Sequence, residues 1–168
     1  MILGTYDFKV SGFCDIGDLF IDPVSHKEFR EFAKKQLETV SFDYFVGLEA
    51  RGFVLAGMLA ADLEKGMIMC RKPNKLPGAI VGTNYKSEYE EGQFFIQPEK
   101  IKDKDLVLVD DIAATWGSLL STVRLCLAAG AKVMAIVVYG EVKAFLGNKN
   151  YLELQQLGIP IIYGEVLN

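Results

Sequence analysis

The sequence predicts an α/β fold: an open, mostly parallel twisted sheet with helices on both faces. Strand-like and helix-like segments alternate from Asp43 to the end of the chain, a pattern typical of a parallel sheet covered by helices. Residues 106–109, Leu-Val-Leu-Val, form an unbroken apolar run, as expected of a central parallel strand. With 168 residues, 51% of them hydrophobic, the chain can bury one good core but is short for two. We therefore expect residues 1–168 to form a single domain.

The first half of the chain is predicted to contain a helix, a strand-helix-strand unit and a hairpin. Residues 25–28, Ser-His-Lys-Glu, have the form of a capping box, and apolar residues at helical spacing follow to about Thr39. The next elements are a strand at 43–48, a helix at 51–64 and a short strand at 67–71. Residues 79–85 and 93–97 can pair as a hairpin with residues 86–92 at its tip.

The second half continues the alternation of strands and helices. Apolar residues recur at helical period over residues 117–129 and stop before Gly130. The predicted strands are residues 106–109, 133–139 and 159–163. A last amphipathic helix is expected at 150–157, ending at Gly158. These elements complete the predicted sheet.

Charge and composition limit the classes of partner. The net charge of −4 and the pI near 5.1 give no simple electrostatic reason to expect nucleic acid. No apolar run approaches the roughly 20 residues that span a bilayer, and the N-terminus lacks the features of a secretory signal, so we expect a cytoplasmic protein with no membrane partner. Cys14, Cys70 and Cys126 are far apart in the sequence and are expected to be reduced thiols. The single histidine, His26, is assigned no function.

The segment of residues 106–118 carries the strongest chemical signal. Ligands of open α/β sheets bind beyond the carboxyl ends of the strands, where Asp110 and Asp111 are expected. Their carboxylates suit the hydroxyls of a ribose or a hydrated magnesium ion. The start of the following helix offers N–H groups that can surround a phosphate. The pattern predicts a site for a phosphorylated ribose; alternatively, the acidic pair merely ends a strand, and Thr115 or Ser118 merely caps a helix.

Two further segments are candidates for binding anions. A strand-to-helix turn places Ala50 and Arg51 beside N–H groups that would suit pyrophosphate, although an arginine at such a turn can also be simply solvated. Arg71, Lys72 and Lys75 gather positive charge on a turn stiffened by two prolines, in a chain that is acidic overall. This turn is either a site for a substrate with several negative charges or a basic surface loop.

Four motifs, in this order, resemble those of the adenine phosphoribosyltransferases, a family of type I phosphoribosyltransferases. They are G-L-E-A-R-G-F at 47–53, R-K-P-N-K-L-P at 71–77, Y-K-S-E-Y at 85–89 and the run at 107–118. The resemblance implies a type I phosphoribosyltransferase fold and a role in purine salvage. In that reaction, phosphoribosyl pyrophosphate and adenine give AMP and pyrophosphate with Mg²⁺, through an oxocarbenium-like transition state. Because the arginine of the second motif can reach across a dimer interface in the family, a homodimer is also implied.

The resemblance further implies roles for individual residues. Residues 79–97 would form a flexible hairpin lid carrying the catalytic residues Tyr85, Glu88 and Tyr89, with Arg71 as a fourth. Residues 1–24 would form a short hood in which Phe13 and Cys14 bind the base, although an aromatic residue at this position can also belong to the core. Metal ligands are unknown. The residues implied for binding phosphoribosyl pyrophosphate are Ala50, Arg51, Lys72, Lys75, Asp110, Asp111, Ala113, Ala114, Thr115, Trp116, Gly117 and Ser118.

The chain departs from the family pattern at two glycine positions. Trp116 stands where the phosphate-binding loop has glycine, so it must either point outward with a tolerable φ or alter the pocket. Asn74 replaces the glycine of the basic turn, and asparagine tolerates left-handed backbone geometry. Glu141 matches a glutamate of the family. The alternatives are transfer to hypoxanthine, guanine or xanthine, or a regulator that binds nucleotide or phosphoribosyl pyrophosphate without turnover. A nicotinamide dinucleotide enzyme is disfavoured because no G-x-G-x-x-G follows a predicted strand.

Overall fold

The structure, a computed structural model, describes residues 16–86 and 91–167. The predicted helices and strands follow one another in the expected order from residue 43 onward, with an added short helix at Pro98–Ile101 and a 3₁₀ turn at Lys143–Phe145. Among the described residues, no helix is long and apolar enough to cross a membrane. In chain order the elements are α1 (Gly17–Ile21), α2 (Pro23–Leu37), β1 (Tyr44–Leu48), α3 (Gly52–Asp62), β2 (Gly66–Cys70), β3 (Val81–Lys86), β4 (Glu91–Ile96), α4 (Pro98–Ile101), β5 (Asp105–Ala113), α5 (Gly117–Ala128), β6 (Lys132–Val142), α6 (Lys149–Gln156) and β7 (Ile161–Leu167).

Five strands form a parallel sheet in the order β2-β1-β5-β6-β7. The central strand is β5, which pairs with β1 through Val46 and Leu108 and with β6 through Val109 and Val137. Its residues 106–109 are fully buried, because helices cover both faces of the sheet at this point. The predicted fold class and the predicted central strand are confirmed.

Each face of the sheet has its own hydrophobic core. Because side chains of a strand alternate between faces, Leu106 and Leu108 lie in one core and Val107 and Val109 in the other. The first core is completed by α5, by the β3-β4 hairpin and by Leu154 of α6. The second is completed by α2 and α3. The sheet is therefore held between two layers, and its carboxyl edge carries the loops.

The capping-box prediction at residues 25–28 is wrong. Asp22 is the N-cap residue of α2, and its carboxylate accepts hydrogen bonds of 3.1 Å from the N–H groups of Val24 and Ser25. Pro23 occupies the first helical position, where its fixed φ and missing N–H cost nothing. Ser25 lies inside the helix, and its hydroxyl donates to Asp22. The helix begins earlier than predicted because an ionised carboxylate binds two N–H groups at the positive helix end.

Strand β5 is longer than the apolar run that predicted it. Pairing with β6 continues through Ile112 and Gly140 to Ala113 and Glu141. A Cβ atom on Gly140 would lie 3.3 Å from the side chain of Ile112 and 3.0 Å from that of Leu167, so the glycine gives the three strands room to pack here. As a consequence, Asp110 and Asp111 lie within the strand. The sequence had predicted that they follow its end.

The predicted hairpin is present, with a shorter tip. Strands β3 and β4 pair antiparallel as far as Lys86 and Glu91, and residues 87–90 lie outside the described residues. Phe94 and Ile96 of β4 are buried in the core beside α5, and Arg71 forms a bridge with Phe95. The base of the hairpin is thus fixed to the body of the protein.

Candidate active site

Three of the motifs meet at the carboxyl edge of the sheet. Parallel strands end at the same edge, so the segments after β1 and β2 and the end of β5 become neighbours. Two ion pairs connect them: Arg51 Nε lies 2.7 Å from Asp111 Oδ2, and Arg71 Nε lies 3.1 Å from Glu49 Oε2. The residues that the sequence assigned to pyrophosphate and to ribose are therefore adjacent.

Gly52 allows the first turn of α3 to lie against the end of β5. A Cβ atom at this position would lie 2.7 Å from the carbonyl oxygen of Val109 and 3.1 Å from Oδ1 of Asp110. No other residue fits without moving backbone, because the closest atom is a main-chain oxygen. This close approach brings Arg51 to the acidic pair. The side chain of Arg51 remains 39% exposed, so its guanidinium can also face a ligand.

Asp110 and Asp111 form an acidic pair whose carboxylates repel each other when both are ionised. Burial, followed by the charge of Asp111, raises the pKa of Asp110 well above its ordinary value of 3.8. Asp111 is 5% exposed, and its Oδ2 has no well-aligned hydrogen bond within the described part of the chain, so its compensation comes from the charge of Arg51. Asp110 thus keeps its proton to higher pH than an exposed aspartate does, which lessens its repulsion of an anionic ligand.

Glu49 organises the basic turn, and the sequence reasoning gave it no role. Its Oε2 accepts hydrogen bonds from Arg71 Nε at 3.1 Å and from the N–H group of Lys72 at 2.8 Å. Burial acts to raise the pKa of Glu49, but these hydrogen bonds and the nearby cations outweigh it and lower that pKa. The contact between Glu49 and Arg71 follows from the parallel pairing of β1 with β2, because the residues directly after two paired parallel strands are neighbours. That pairing is the signal from which it could have been inferred.

The basic turn at residues 71–75 presents its cations at the same edge. Arg71 is anchored by two backbone hydrogen bonds with Phe95, of 2.9 and 2.7 Å, and its guanidinium lies 5.7 Å from the ring centroid of Phe53. Lys75 is exposed, whereas Lys72 is partly buried. Asn74 has φ of 62°, so it takes the left-handed geometry expected of the glycine it replaces.

Trp116 turns inward at the start of α5. It is the N-cap residue, with φ of 63° and ψ of 2°, and only 2% of it is exposed. Its ring centroid lies 5.1 Å from that of Tyr151 in α6, within the core that contains α5. Of the two alternatives, an outward-pointing side chain is excluded: Trp116 occupies a left-handed position with its indole buried beneath the loop.

Two asparagines hold the loop of residues 113–118 from below. Asn148 Nδ2 and Asn150 Nδ2 donate hydrogen bonds of 3.1 and 3.0 Å to the carbonyl oxygen of Thr115. Both residues lie at the start of α6, more than 30 positions further along the chain. Sequence patterns carry no signal for such a contact, and neither asparagine was among the predicted site residues.

The family match agrees with this arrangement. The phosphoribosyl transferase domain matches residues 16–155, which include the basic turn, the acidic pair and the loop of residues 113–118. The chain belongs to the phosphoribosyl transferase family.

Known phosphoribosyl transferases resemble the chain over most of its length. The adenine phosphoribosyltransferase of Prochlorococcus marinus (strain NATL1A) is 37% identical over 149 residues, covering 88% of this chain and 87% of that protein. The crystal structure of the APRTase of Giardia lamblia, complexed with 9-deazaadenine, is similar with a TM-score of 0.85 and 28% identity, covering 93% of this chain and 87% of that one. The adenine phosphoribosyltransferase of Saccharomyces cerevisiae, complexed with adenine and an imino-altritol bisphosphate, has a TM-score of 0.76 and 28% identity, covering 90% and 85%. The predicted type I fold is confirmed.

Several predicted site residues of this phosphoribosyl transferase lie outside the part of the chain that the structure describes. Phe13, Cys14, Glu88 and Tyr89 lie outside the described residues, and so does the side chain of Tyr85. Their roles stay predictions. Glu141 pairs in register with Ala113, is 2% exposed, and has a pKa raised by burial.

Proposed function

We propose that this chain is an adenine phosphoribosyltransferase of purine salvage, which transfers the 5-phosphoribosyl group of phosphoribosyl pyrophosphate to adenine and releases pyrophosphate. The observation that carries the proposal is the meeting of three chemically different groups at one sheet edge: the acidic pair, the loop before α5 and the basic turn. A substrate with ribose hydroxyls, a 5′-phosphate and a pyrophosphate needs these three kinds of group together.

Each part of phosphoribosyl pyrophosphate has a candidate partner. The loop of residues 113–118 would bind the 5′-phosphate, because N–H groups at the first turn of α5 lack intrahelical acceptors. Asp110 and Asp111 would accept hydrogen bonds from the ribose hydroxyls. The pyrophosphate would lie against the backbone of Ala50 and the cationic residues. Those residues are Arg51, Arg71, Lys72 and Lys75.

The positions of the cations suit the chemistry of the transfer. The bond between ribose C1 and the pyrophosphate oxygen breaks, and its electron pair leaves with pyrophosphate. A C1–N bond then forms to adenine, which gives up one proton. Negative charge grows on the leaving group, so fixed cations beside it stabilise the transition state more than the ground state. Glu88, Tyr85 and Tyr89 are proposed to close over the sugar cation and exclude water.

Mg²⁺ fits the acidic pair as the ion implied by the family. This ion is usually held by one or two carboxylates together with waters and substrate phosphates. Asp110 and Asp111 supply two carboxylates; Asp111 Oδ2 has no aligned hydrogen bond among the described residues and is balanced by the charge of Arg51. No group of three or more His, Cys, Asp or Glu side chains suited to a metal occurs within those residues. Bound there, Mg²⁺ would neutralise charge on the pyrophosphate.

Adenine is proposed as the base because of the relatives. The Prochlorococcus protein is an adenine phosphoribosyltransferase, and the Giardia and Saccharomyces enzymes are complexed with 9-deazaadenine and adenine. Phe13 and Cys14 are proposed to hold the base by stacking and by backbone hydrogen bonds. A homodimer is proposed from the family resemblance at Arg71. A cytoplasmic location is proposed because Cys70 and Cys126 are free thiols, as in a reducing compartment.

A panel of bases tests the proposal. Purified protein is incubated with phosphoribosyl pyrophosphate, Mg²⁺ and adenine, hypoxanthine, guanine or xanthine, and pyrophosphate release is measured. We expect release with adenine and at least tenfold less with the other bases. A higher rate with another base would overturn the choice of adenine, and no release with any base would overturn the proposed activity.

A further inference from the structure

The carbonyl group of Thr115 is held by the start of α6. Asn148 is the N-cap residue of that helix: its Oδ1 accepts from the N–H group of Tyr151 at 2.9 Å, while its Nδ2 donates to Thr115. Asn150, two residues further along the chain, donates to the same oxygen. Two amides on one carbonyl oxygen use both of its lone pairs and fix the direction of the peptide.

The same segment also holds the next residue. The ring of Tyr151 packs against the indole of Trp116, so residues 148–151 contact both sides of the peptide bond between Thr115 and Trp116. A non-glycine residue in the left-handed region is disfavoured on its own. Contacts from outside the loop must therefore maintain this conformation.

The direction of this peptide decides what the loop offers to an anion. In a planar trans peptide the C=O and N–H bonds point in opposite directions. Because the carbonyl of Thr115 faces α6, the N–H group of Trp116 faces the other way. A left-handed residue beside a right-handed helical turn aligns successive N–H groups into a concave anion site. A flipped peptide would instead turn a carbonyl oxygen toward the phosphate and repel it.

We propose that Asn148 and Asn150 are positioning residues of the 5′-phosphate site, which hold the Thr115–Trp116 peptide so that its N–H group faces the phosphate. This inference rests on the proposed function of that loop. In this proposal the two asparagines act through the backbone conformation of Thr115 and Trp116 and not by contact with the substrate.

Binding of ribose 5-phosphate tests the inference without any turnover. The variants are Asn150→Ala, Asn150→Gln, which keeps an amide donor, and Asn148→Ser, which keeps an N-cap oxygen. The control is Gln155→Ala, an exposed amide of the same helix. Affinity is measured by calorimetry, and the fluorescence of Trp116, the only tryptophan, reports the environment of the loop.

We expect Asn150→Ala and Asn148→Ser each to weaken ribose 5-phosphate binding by roughly threefold to tenfold, the usual value of one hydrogen bond. The Michaelis constant for phosphoribosyl pyrophosphate should rise in proportion, with that for adenine unchanged, and Asn150→Gln should recover part of the loss. Unchanged affinity in the folded Ala and Ser variants, or an equal loss in Gln155→Ala, would overturn the inference. Ribose 5-phosphate binding without adenine transfer would instead overturn the proposed function and leave the inference standing.

Discussion

Replacing Trp116 by glycine and by alanine separates its two properties, the buried ring and the left-handed backbone. Both variants lose the ring, and truncation of a buried aromatic side chain costs about 3–5 kcal/mol. The indole Nε1 has no hydrogen-bond partner among the described residues, and removing such a buried donor returns about 1–3 kcal/mol. We therefore expect both variants to be less stable than the wild type, by about 2 kcal/mol for alanine.

The order of the two variants is the informative result. In ordinary positions glycine is less stable than alanine by about 0.5–1 kcal/mol, because its unfolded chain is more flexible. At φ of 63° alanine pays about 1–2 kcal/mol that glycine does not. Glycine should therefore be the more stable variant by about 0.7 kcal/mol, or about 2 °C in Tm for a chain of this size.

Urea unfolding followed by circular dichroism measures this difference, since both variants lack the fluorescent residue. Equal slopes of free energy against urea would show that the unfolding reaction itself is unchanged. An alanine variant as stable as the glycine variant, or more stable, would refute the left-handed assignment of residue 116.

Three further predictions concern the charged groups of the site. Asp111→Asn should raise the Michaelis constant for phosphoribosyl pyrophosphate by roughly tenfold or more without unfolding the chain, since a charge-assisted contact is lost. The control is Asp103→Asn, at an exposed residue just before the start of β5. An unchanged Michaelis constant in Asp111→Asn would refute the ribose assignment. Asp110→Asn should unfold at a higher urea concentration than the wild type at pH 7. Because the pKa of Asp110 is raised in the folded state, the wild type loses stability as pH rises above 3.8, so the advantage of the variant should disappear near that pH. A variant less stable than the wild type at pH 7 would contradict this. Glu49→Gln should lower stability at pH 7. The lowered pKa of Glu49 contributes stability to the wild type that is present above the ordinary value of 4.5 and is lost as pH falls through the lower folded value. A loss of stability of equal size at low and neutral pH would refute the ion pair with Arg71.

Much of the fold was predictable because its signals are local. The apolar run at residues 106–109 identified the central strand, and the helical period at 117–129 identified α5. The motifs also predicted that candidate site residues meet at the carboxyl edge of the sheet, since ligand sites of open parallel sheets follow the strand ends. Residue type was enough in each of these cases.

The features that were missed depend on contacts between distant parts of the chain. The extension of β5 to Ala113 requires pairing with β6, which a strand pattern alone does not contain. Glu49 acquires its role from Arg71, 22 residues later, and Asn148 from Thr115, 33 residues earlier. The inward direction of Trp116 likewise depends on Tyr151. Sequence patterns proposed candidate site residues, whereas the interactions that orient those within the described ranges required the structure.

The most direct test of the central claim is a ³¹P NMR time course of the protein with phosphoribosyl pyrophosphate, Mg²⁺ and adenine. The proposed activity predicts that the substrate signals fall while those of AMP and pyrophosphate rise in equal amounts, and that no such change occurs without adenine. Substrate signals that persist, or pyrophosphate that forms without AMP, would contradict it.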